Sequence, residues 1–128
     1  MRLLLDTHAL LWWLAGDALL SEPARVAIGD DANPVYVSAA SAWEVTTKHR
    51  LGKLPVAGPL AVDFAREVAA QGFTGLAVTL AHGERAGRLP GPHRDPFDRM
   101  LIAQAQAEEL VLVSNETAFD AYGVARLW

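Results

Sequence analysis

Four short apolar runs restrict the possible folds of this chain more than any other part of its sequence. They occupy residues 3–5, 35–38, 76–79 and 110–114, and segments of helical pattern separate them. Short runs without polar alternation are typical of strands that are buried on both faces of a parallel sheet. Strands that alternate with helices predict an α/β fold, with helices covering both faces of a mostly parallel sheet.

The segments between these runs carry helical patterns that end at glycine or at turn residues. Helices are predicted over residues 9–15, 20–28, 41–51, 60–70, 82–87 and 95–109, followed by a helical turn at 118–122 and an edge strand at 124–128. Residues 53–59 and 88–93 are predicted loops because they contain closely spaced prolines and glycines. The sheet should therefore have four to five strands.

Composition narrows the class of protein further. The 128 residues are 52% hydrophobic and 20% charged, which indicates one globular domain over residues 1–128. The chain has no cysteine, which excludes disulfides, zinc–thiolate sites and thiol catalysis. Neither a signal peptide nor a membrane-spanning run is visible, so we expect a cytoplasmic protein that does not bind membranes.

Four acidic residues from distant parts of the chain are predicted to meet. Asp6 ends the first strand, and Glu44 lies in the helix that follows the second. Asp98 lies in the helix that leads to the fourth strand, and Glu116 follows that strand. Strand carboxyl ends and helix amino ends share one edge of such a sheet, which is where ligands bind in open α/β folds.

Each acid also has an ordinary structural explanation. The alternatives are helix N-caps at Asp6 and at Asp95, a capping box joining Ser41 to Glu44, and common first-turn acids at Asp98 and Glu116. Several unpaired carboxylates at one point repel each other, so their convergence would predict a bound cation. Ligands that are all oxygen atoms suit Mg²⁺ or Mn²⁺.

Basic residues cluster around these acids in the chain. The net charge of −4 argues against a protein that passively coats nucleic acid. Seven of the eleven Lys and Arg residues nevertheless lie in the middle of the chain, namely Lys48, Arg50, Lys53, Arg85, Arg88, Arg94 and Arg99. This pattern suits a polyanion held over a metal cluster, although solvated helix faces would explain it too. His8, His82 and His93 lack metal-motif spacing, and we interpret them as surface or loop residues, with the exception that His93 lies near the predicted site.

Four motifs in this order resemble the PIN domain, and more closely the VapC-type toxins of bacterial toxin–antitoxin pairs. They are Leu-Leu-Asp-Thr-His at residues 4–8, Ser-Ala-Trp-Glu at 41–44, His-Arg-Asp-Pro-Phe-Asp-Arg-Met-Leu-Ile-Ala-Gln-Ala at 93–105 and Leu-Val-Ser-Asn-Glu-Thr-Ala-Phe at 112–119. The resemblance covers nearly the whole chain. It implies a PIN-like three-layer α/β/α fold and a Mg²⁺-dependent endoribonuclease.

The resemblance also implies roles for individual residues. Asp6, Glu44 and Asp98 match the three core acids that hold the metal, and Asp95 matches a further acid of this subgroup. Glu116 stands where the family usually has Asp, so its side chain is one methylene longer. Glu116 and Ser114 would position the attacking water. The expected phosphate contacts are Arg94, Arg99 and Lys48.

The partners that the resemblance implies are an RNA substrate, such as transfer RNA or a ribosomal RNA loop, a small antitoxin and a second copy of the chain. Leu11, Trp12 and Leu20 would line the antitoxin's groove. One alternative is a catalytically weak module of the same fold that binds RNA or an antitoxin. A second is a phospho-acceptor receiver domain, which is disfavoured because Asp6 has no acidic neighbour and no Lys ends the fourth strand.

Overall fold

A computed structural model describes residues 1–54 and 58–128, and its centre is a five-stranded sheet. The strands are β1 (Leu3–Leu5), β2 (Val35–Ser38), β3 (Thr74–Leu76), β4 (Val111–Val113) and β5 (Arg126–Leu127). The helices are α1 (Thr7–Ala15), α2 (Glu22–Gly29), α3 (Ala39–Arg50), α4 (Gly58–Val62), α5 (Phe64–Ala70), α6 (Leu80–Arg88) and α7 (Pro96–Glu108), and a 3₁₀ helix spans Thr117–Tyr122. This architecture confirms the predicted three-layer α/β/α class.

The strand order places a topological switch point beside β1. The order is β3-β2-β1-β4-β5, and all four strand pairings are parallel. Leu4 of the central strand is in register with Tyr36 on one side and with Leu112 on the other. The chain winds outward from β1 through β2 to β3 and then crosses to β4. A crevice therefore opens at the carboxyl ends of β1 and β4, the usual ligand position in such sheets.

The side chains of β1 alternate between two apolar cores, one on each face of the sheet. Leu3 and Leu5 belong to the core formed with α1 to α5. Leu4 belongs to the core formed with α7 and the 3₁₀ helix. All three leucines have no exposed surface. Because successive side chains of a strand point to opposite faces, an unbroken apolar run is what a strand covered on both faces requires.

The third strand and the helix before it differ from the prediction. The strand is Thr74–Leu76, so it ends at the first of the predicted residues 76–79, and Thr79 instead N-caps α6 through a capping box with His82. The predicted helix over residues 60–70 is two helices, α4 and α5. Asp63 interrupts it with an extended φ of −146° and accepts a hydrogen bond from the Arg66 N–H to cap α5.

Two further local predictions are corrected. The helix expected at residue 41 begins at Ala39, because the Ser38 hydroxyl caps it by accepting from the Ala40 N–H. Ser41 and Glu44 therefore do not form an N-terminal capping box. Part of the loop predicted at residues 53–59 lies outside the described residues, and α4 already begins at Gly58. In the described ranges, no helix has the length and hydropathy to cross a membrane.

Candidate active site

The carboxyl ends of β1 and β4 border a polar cavity of about 180 Å³. Its lining contains five carboxylates, one lysine and four further side chains. They are Asp6, Glu44, Asp95, Asp98, Glu116, Lys48, Thr7, His8, Asn115 and Phe119. The structure thus brings together the five acids that the sequence singled out, from elements at opposite ends of the chain.

Asp6 both caps a helix and lines the cavity, two roles that the sequence analysis left as alternatives. It follows β1 directly, and its Oδ1 accepts a hydrogen bond from the Ala9 N–H at 2.8 Å, which caps α1. The residue is only 6% exposed. Burial raises the pKa of Asp6, and hydrogen bonds from the Ser114 hydroxyl and the Ala9 N–H oppose that rise only in part.

Ser114 supports the site from within the protein. It follows β4 and has no exposed surface. Its hydroxyl oxygen accepts a hydrogen bond from the Glu116 N–H at 2.9 Å, and the hydroxyl also bonds the Asp6 side chain. Ser114 therefore positions two of the cavity's acids.

Glu44 is held at both of its oxygens. The Thr7 hydroxyl lies 2.5 Å from Oε1, and the Lys48 ammonium lies 2.5 Å from Oε2. Only 4% of Glu44 is exposed. Because burying an unpaired charge is costly, the Glu44 carboxylate needs these two partners. Burial alone would lower the pKa of Lys48, but the hydrogen bond and charge of Glu44, together with Asp95 and Asp98, raise it overall.

Asp95 and Asp98 occupy the start of α7, as the Asp-Pro sequence predicts. Asp95 is the N-cap, and its Oδ1 accepts from the Phe97 and Asp98 N–H groups at 2.9 and 3.3 Å. Burial, and then the charge of Asp95, raise the pKa of Asp98 to about 7 against the opposing charge of His93. His93 Nε2 lies 3.0 Å from Asp98 Oδ2, a close contact without hydrogen-bond geometry. The mutual repulsion expected of converging carboxylates is thus present at Asp98.

The remaining predicted residues differ in their positions. Glu116 lines the cavity with an exposed side chain, and Arg94 is exposed in the segment before α7. Arg99 is not among the cavity's lining residues. Its guanidinium donates to the carbonyl oxygens of His93 and Leu89 instead, so it holds the segment before α7 in place.

Several residues near the acids escaped the sequence analysis. Thr7, His8 and Phe119 line the cavity, whereas His93, which the sequence already placed near the site, contacts Asp98. Thr7 had a weak signal, since it follows Asp6 directly and its hydroxyl faces the same edge. His82 was assigned to the surface, but it is 2% exposed and its Nε2 lies 2.8 Å from Glu108 Oε1. It joins the capping box at the start of α6 to Glu108 at the end of α7.

The donor set of the cavity matches a hard divalent cation. Apart from the His8 imidazole, the atoms it offers as ligands are carboxylate, amide and hydroxyl oxygens, which Mg²⁺ and Mn²⁺ prefer. Within residues 1–54 and 58–128, no group of three or more acidic or histidine side chains is arranged to hold a metal ion. A bound cation would offset the repulsion that raises the pKa of Asp98.

Comparison with known proteins identifies the family to which this chain is similar. The family model for the PIN domain matches residues 3–125. A 69-residue stretch is 39% identical to Ribonuclease VapC16 of Mycobacterium tuberculosis, covering 54% of this chain and 48% of that protein. The chain therefore matches only about half the length of this relative.

Solved structures show the same fold at low sequence identity. The complex of VapBC2 from Rickettsia felis with a promoter DNA fragment contains a chain with a TM-score of 0.67 and 14% identity, covering 99% of this chain and 98% of that one. A toxin–antitoxin complex from Klebsiella pneumoniae gives a TM-score of 0.62 and 16% identity, covering 99% and 97%.

Proposed function

Because the chain belongs to the PIN domain family, we propose that it is a metal-dependent endoribonuclease that acts in the cytoplasm as the toxin of a toxin–antitoxin pair. One observation carries the proposal, namely the convergence of five carboxylates on one cavity at the switch point of the sheet. The relative named as a ribonuclease supports the reaction class. Hydrolysis of a phosphodiester at a carboxylate-bound metal is the chemistry that such a cavity suits.

In this proposal, Asp6, Glu44 and Asp98 hold the metal, with Asp95 beside them, and the metal is Mg²⁺ or Mn²⁺. When bound, such an ion supplies a water of lowered pKa and offsets the charge of the scissile phosphate. The N-capping bonds of Asp6 and Asp95 fix where their carboxylates stand, because each is tied to the first turn of a helix.

Other side chains would act on water and on the RNA backbone. Ser114 keeps Asp6 and Glu116 in place, and the exposed Glu116 orients the attacking water. Lys48 lines the cavity and Arg94 is exposed near its edge, so both are suited to phosphate oxygens. Arg99 has the role of holding the loop that carries Arg94.

The test is cleavage of total RNA by the purified chain, free of any partner, in Mg²⁺, Mn²⁺ or EDTA. We expect discrete metal-dependent fragments, and we expect Asp6→Asn to reduce cleavage by at least about 100-fold. Asn is also a good N-cap, so α1 should remain intact in the variant. Asp31→Asn makes the same chemical change at an exposed turn and should cleave normally. Cleavage that persists in Asp6→Asn or in EDTA would contradict the assignment.

A second candidate function is a catalytically weak module that binds RNA or an antitoxin. It is favoured because no group of three or more acidic or histidine side chains among the described residues is arranged to hold a metal ion. It is also favoured by Glu116, an exposed Glu where the family usually has Asp. This module would bind RNA in the presence of metal and leave it uncut in the same assay.

We also propose that a small antitoxin protein covers the acidic cavity. A structural neighbour described as a toxin–antitoxin complex supports this partner. The apolar surface expected to receive it needs correction, because Leu20 is 1% exposed and belongs to the core. Leu11 and Trp12 are half-buried and pack on the same core, whereas Leu19 is 62% exposed.

The proposed homodimer has a candidate surface on the neighbouring faces of α3 and α7. An apolar groove of about 410 Å³ lies there, lined by residues that include Trp43, Val78, Phe97 and Met100. Trp43 is 63% exposed and packs edge-on against Phe97 with ring centres 4.9 Å apart. An exposed apolar groove that contains aromatic side chains is typical of an interface.

We therefore expect a dimer in analytical ultracentrifugation, and a monomer after Trp43→Lys, since a buried unpaired charge at an interface is costly. Val62→Lys changes an equally apolar residue that is 87% exposed on α4, away from the groove, and should leave the dimer intact. A wild-type monomer, or a dimer that survives Trp43→Lys, would contradict this surface.

A further inference from the structure

The Lys48–Glu44 pair differs from an ordinary ion pair within a helix. The two residues are four apart on α3, a spacing that commonly gives a weak surface pair. Here the Glu44 side chain is 6% exposed and the two charged atoms are 2.5 Å apart. The Arg88–Glu84 pair on α6 has the same spacing, but its side chains are 80% and 61% exposed and its atoms are 3.1 Å apart. Loss of the partner destabilises a protein far more when the carboxylate is buried than when it is exposed.

Lys48 also lines the cavity that holds the other acids. Its neighbours in the cavity lining include the carboxylates of Asp6, Asp95 and Asp98. Lys48 thus provides a positive charge at the place where the proposed function requires a metal ion.

We propose that the Lys48 ammonium is a built-in counter-ion, which holds Oε2 of Glu44 while no metal is bound and competes with the divalent cation for that oxygen. This inference rests on the proposed function, because it concerns the same metal site. In the metal-free protein, Lys48 offsets the repulsion among the buried carboxylates. The same bond to Glu44 lowers the affinity of the site for the divalent cation.

The geometry allows this exchange without moving the carboxylate. The Thr7 hydroxyl holds Oε1 of Glu44 independently, so departure of Lys48 frees Oε2 while the other oxygen stays fixed. The Lys48 side chain is 38% exposed, and its flexible stem gives the ammonium a path to solvent. Once released, the ammonium is available to a phosphate of the substrate.

The test measures Mn²⁺ binding by calorimetry with the purified full chain after treatment with EDTA. We expect Lys48→Met to bind Mn²⁺ roughly 10-fold more tightly than the wild type, because both the competition and the repulsion are removed. Lys48→Gln is a second neutral variant that should behave alike. Lys48→Arg keeps the charge and should stay close to the wild type. Arg88→Met removes the exposed pair on α6 and should have no effect on the affinity.

A second measurement follows the metal-free protein. Thermal unfolding in EDTA should show a lower Tm for Lys48→Met than for Arg88→Met, because only the former leaves a buried carboxylate without its partner. Saturating Mn²⁺ should remove most of this difference in Tm between the two variants. A purely structural pair would lower the Tm without changing the intrinsic affinity for the metal.

The outcomes separate this inference from the proposed function. If the wild type binds Mn²⁺ and cleaves RNA while Lys48→Met binds equally or more weakly, the counter-ion role is overturned and the nuclease stands. If neither the wild type nor any Lys48 variant binds Mn²⁺, the metal site and the counter-ion fail together. Binding that appears only in the neutral Lys48 variants would support the competition directly.

Discussion

Replacing Asp98 with Asn is expected to stabilise the metal-free protein near neutral pH by about 1–2 kcal/mol while abolishing metal-dependent cleavage. Ionised Asp98 is unfavourable in the fold because burial and the charge of Asp95 raise its pKa from 3.8 to about 7. A rise of that size corresponds to an upper limit of about 4 kcal/mol at 1.36 kcal/mol per pKa unit. Solvent screening of a side chain that is 24% exposed reduces the expected gain.

The gain should depend on pH with a definite sign. A carboxylate with a raised folded-state pKa binds its proton more tightly in the folded protein, so its favourable contribution is complete below pH 3.8 and is lost as the pH rises to about 7. Asn avoids that loss. The variant's advantage should therefore be small at pH 4 and full at pH 8.

Thermal unfolding in EDTA checks this prediction, and the expected rise in Tm at pH 8 is roughly 3–8 °C. Added Mg²⁺ should remove the advantage, because it stabilises the wild type through the carboxylate that the variant lacks. Asp31→Asn, at an exposed turn, should show no such pH dependence. A variant that is less stable than the wild type at pH 8 would mean that Asp98 is not under electrostatic strain.

Replacing Leu4 with Ala should cost about 2–5 kcal/mol of the free energy of unfolding. Leu4 lies in the middle of the central strand, has no exposed surface and packs in the core that contains Leu101 and Ile102 of α7. The cost combines the lost burial with the cavity left behind, and it is a large part of the 5–15 kcal/mol that stabilises a typical domain.

Urea denaturation followed by circular dichroism measures this loss. Leu19→Ala removes the same atoms from a side chain that is 62% exposed, so it should change stability by no more than about 0.5 kcal/mol. The Leu4 variant should also bind metal more weakly, because the core that it damages holds the helix carrying Asp95 and Asp98. Equal losses in the two variants would contradict the placement of Leu4 in the core.

Local chemistry made much of the fold predictable. The unbroken run at residues 3–5 requires cover on both faces of its strand, and the structure provides it with two cores. The Asp95-Pro96 pair predicts a helix start, because Pro lacks the N–H that an N-terminal turn leaves unsatisfied, and α7 begins there. The edge of the sheet followed from the alternation of strands and helices alone.

The errors fall where two local signals compete. Residues 76–79 have good strand composition, yet Thr79 forms a cap for α6 in place of another strand residue. The spacing of Leu60, Phe64 and Val68 suits one continuous helix, but the Asp63 carboxylate binds the Arg66 N–H and starts a new one. Side chains that bond the backbone nearby offer an alternative to extending a regular element, and propensity alone does not decide between them.

What the sequence determined by itself was the class of fold, the edge of the sheet that carries the site and the acids that stand on it, because each depends on neighbours in the chain. The tertiary structure decided which side chains contact those acids and how far their pKa values shift. Thr7 and Glu44 are 37 residues apart and meet only because β1 and β2 are neighbours. The pKa of Asp98 likewise depends on burial and on the charges of Glu44 and Asp6, which the order of the strands brings close to it.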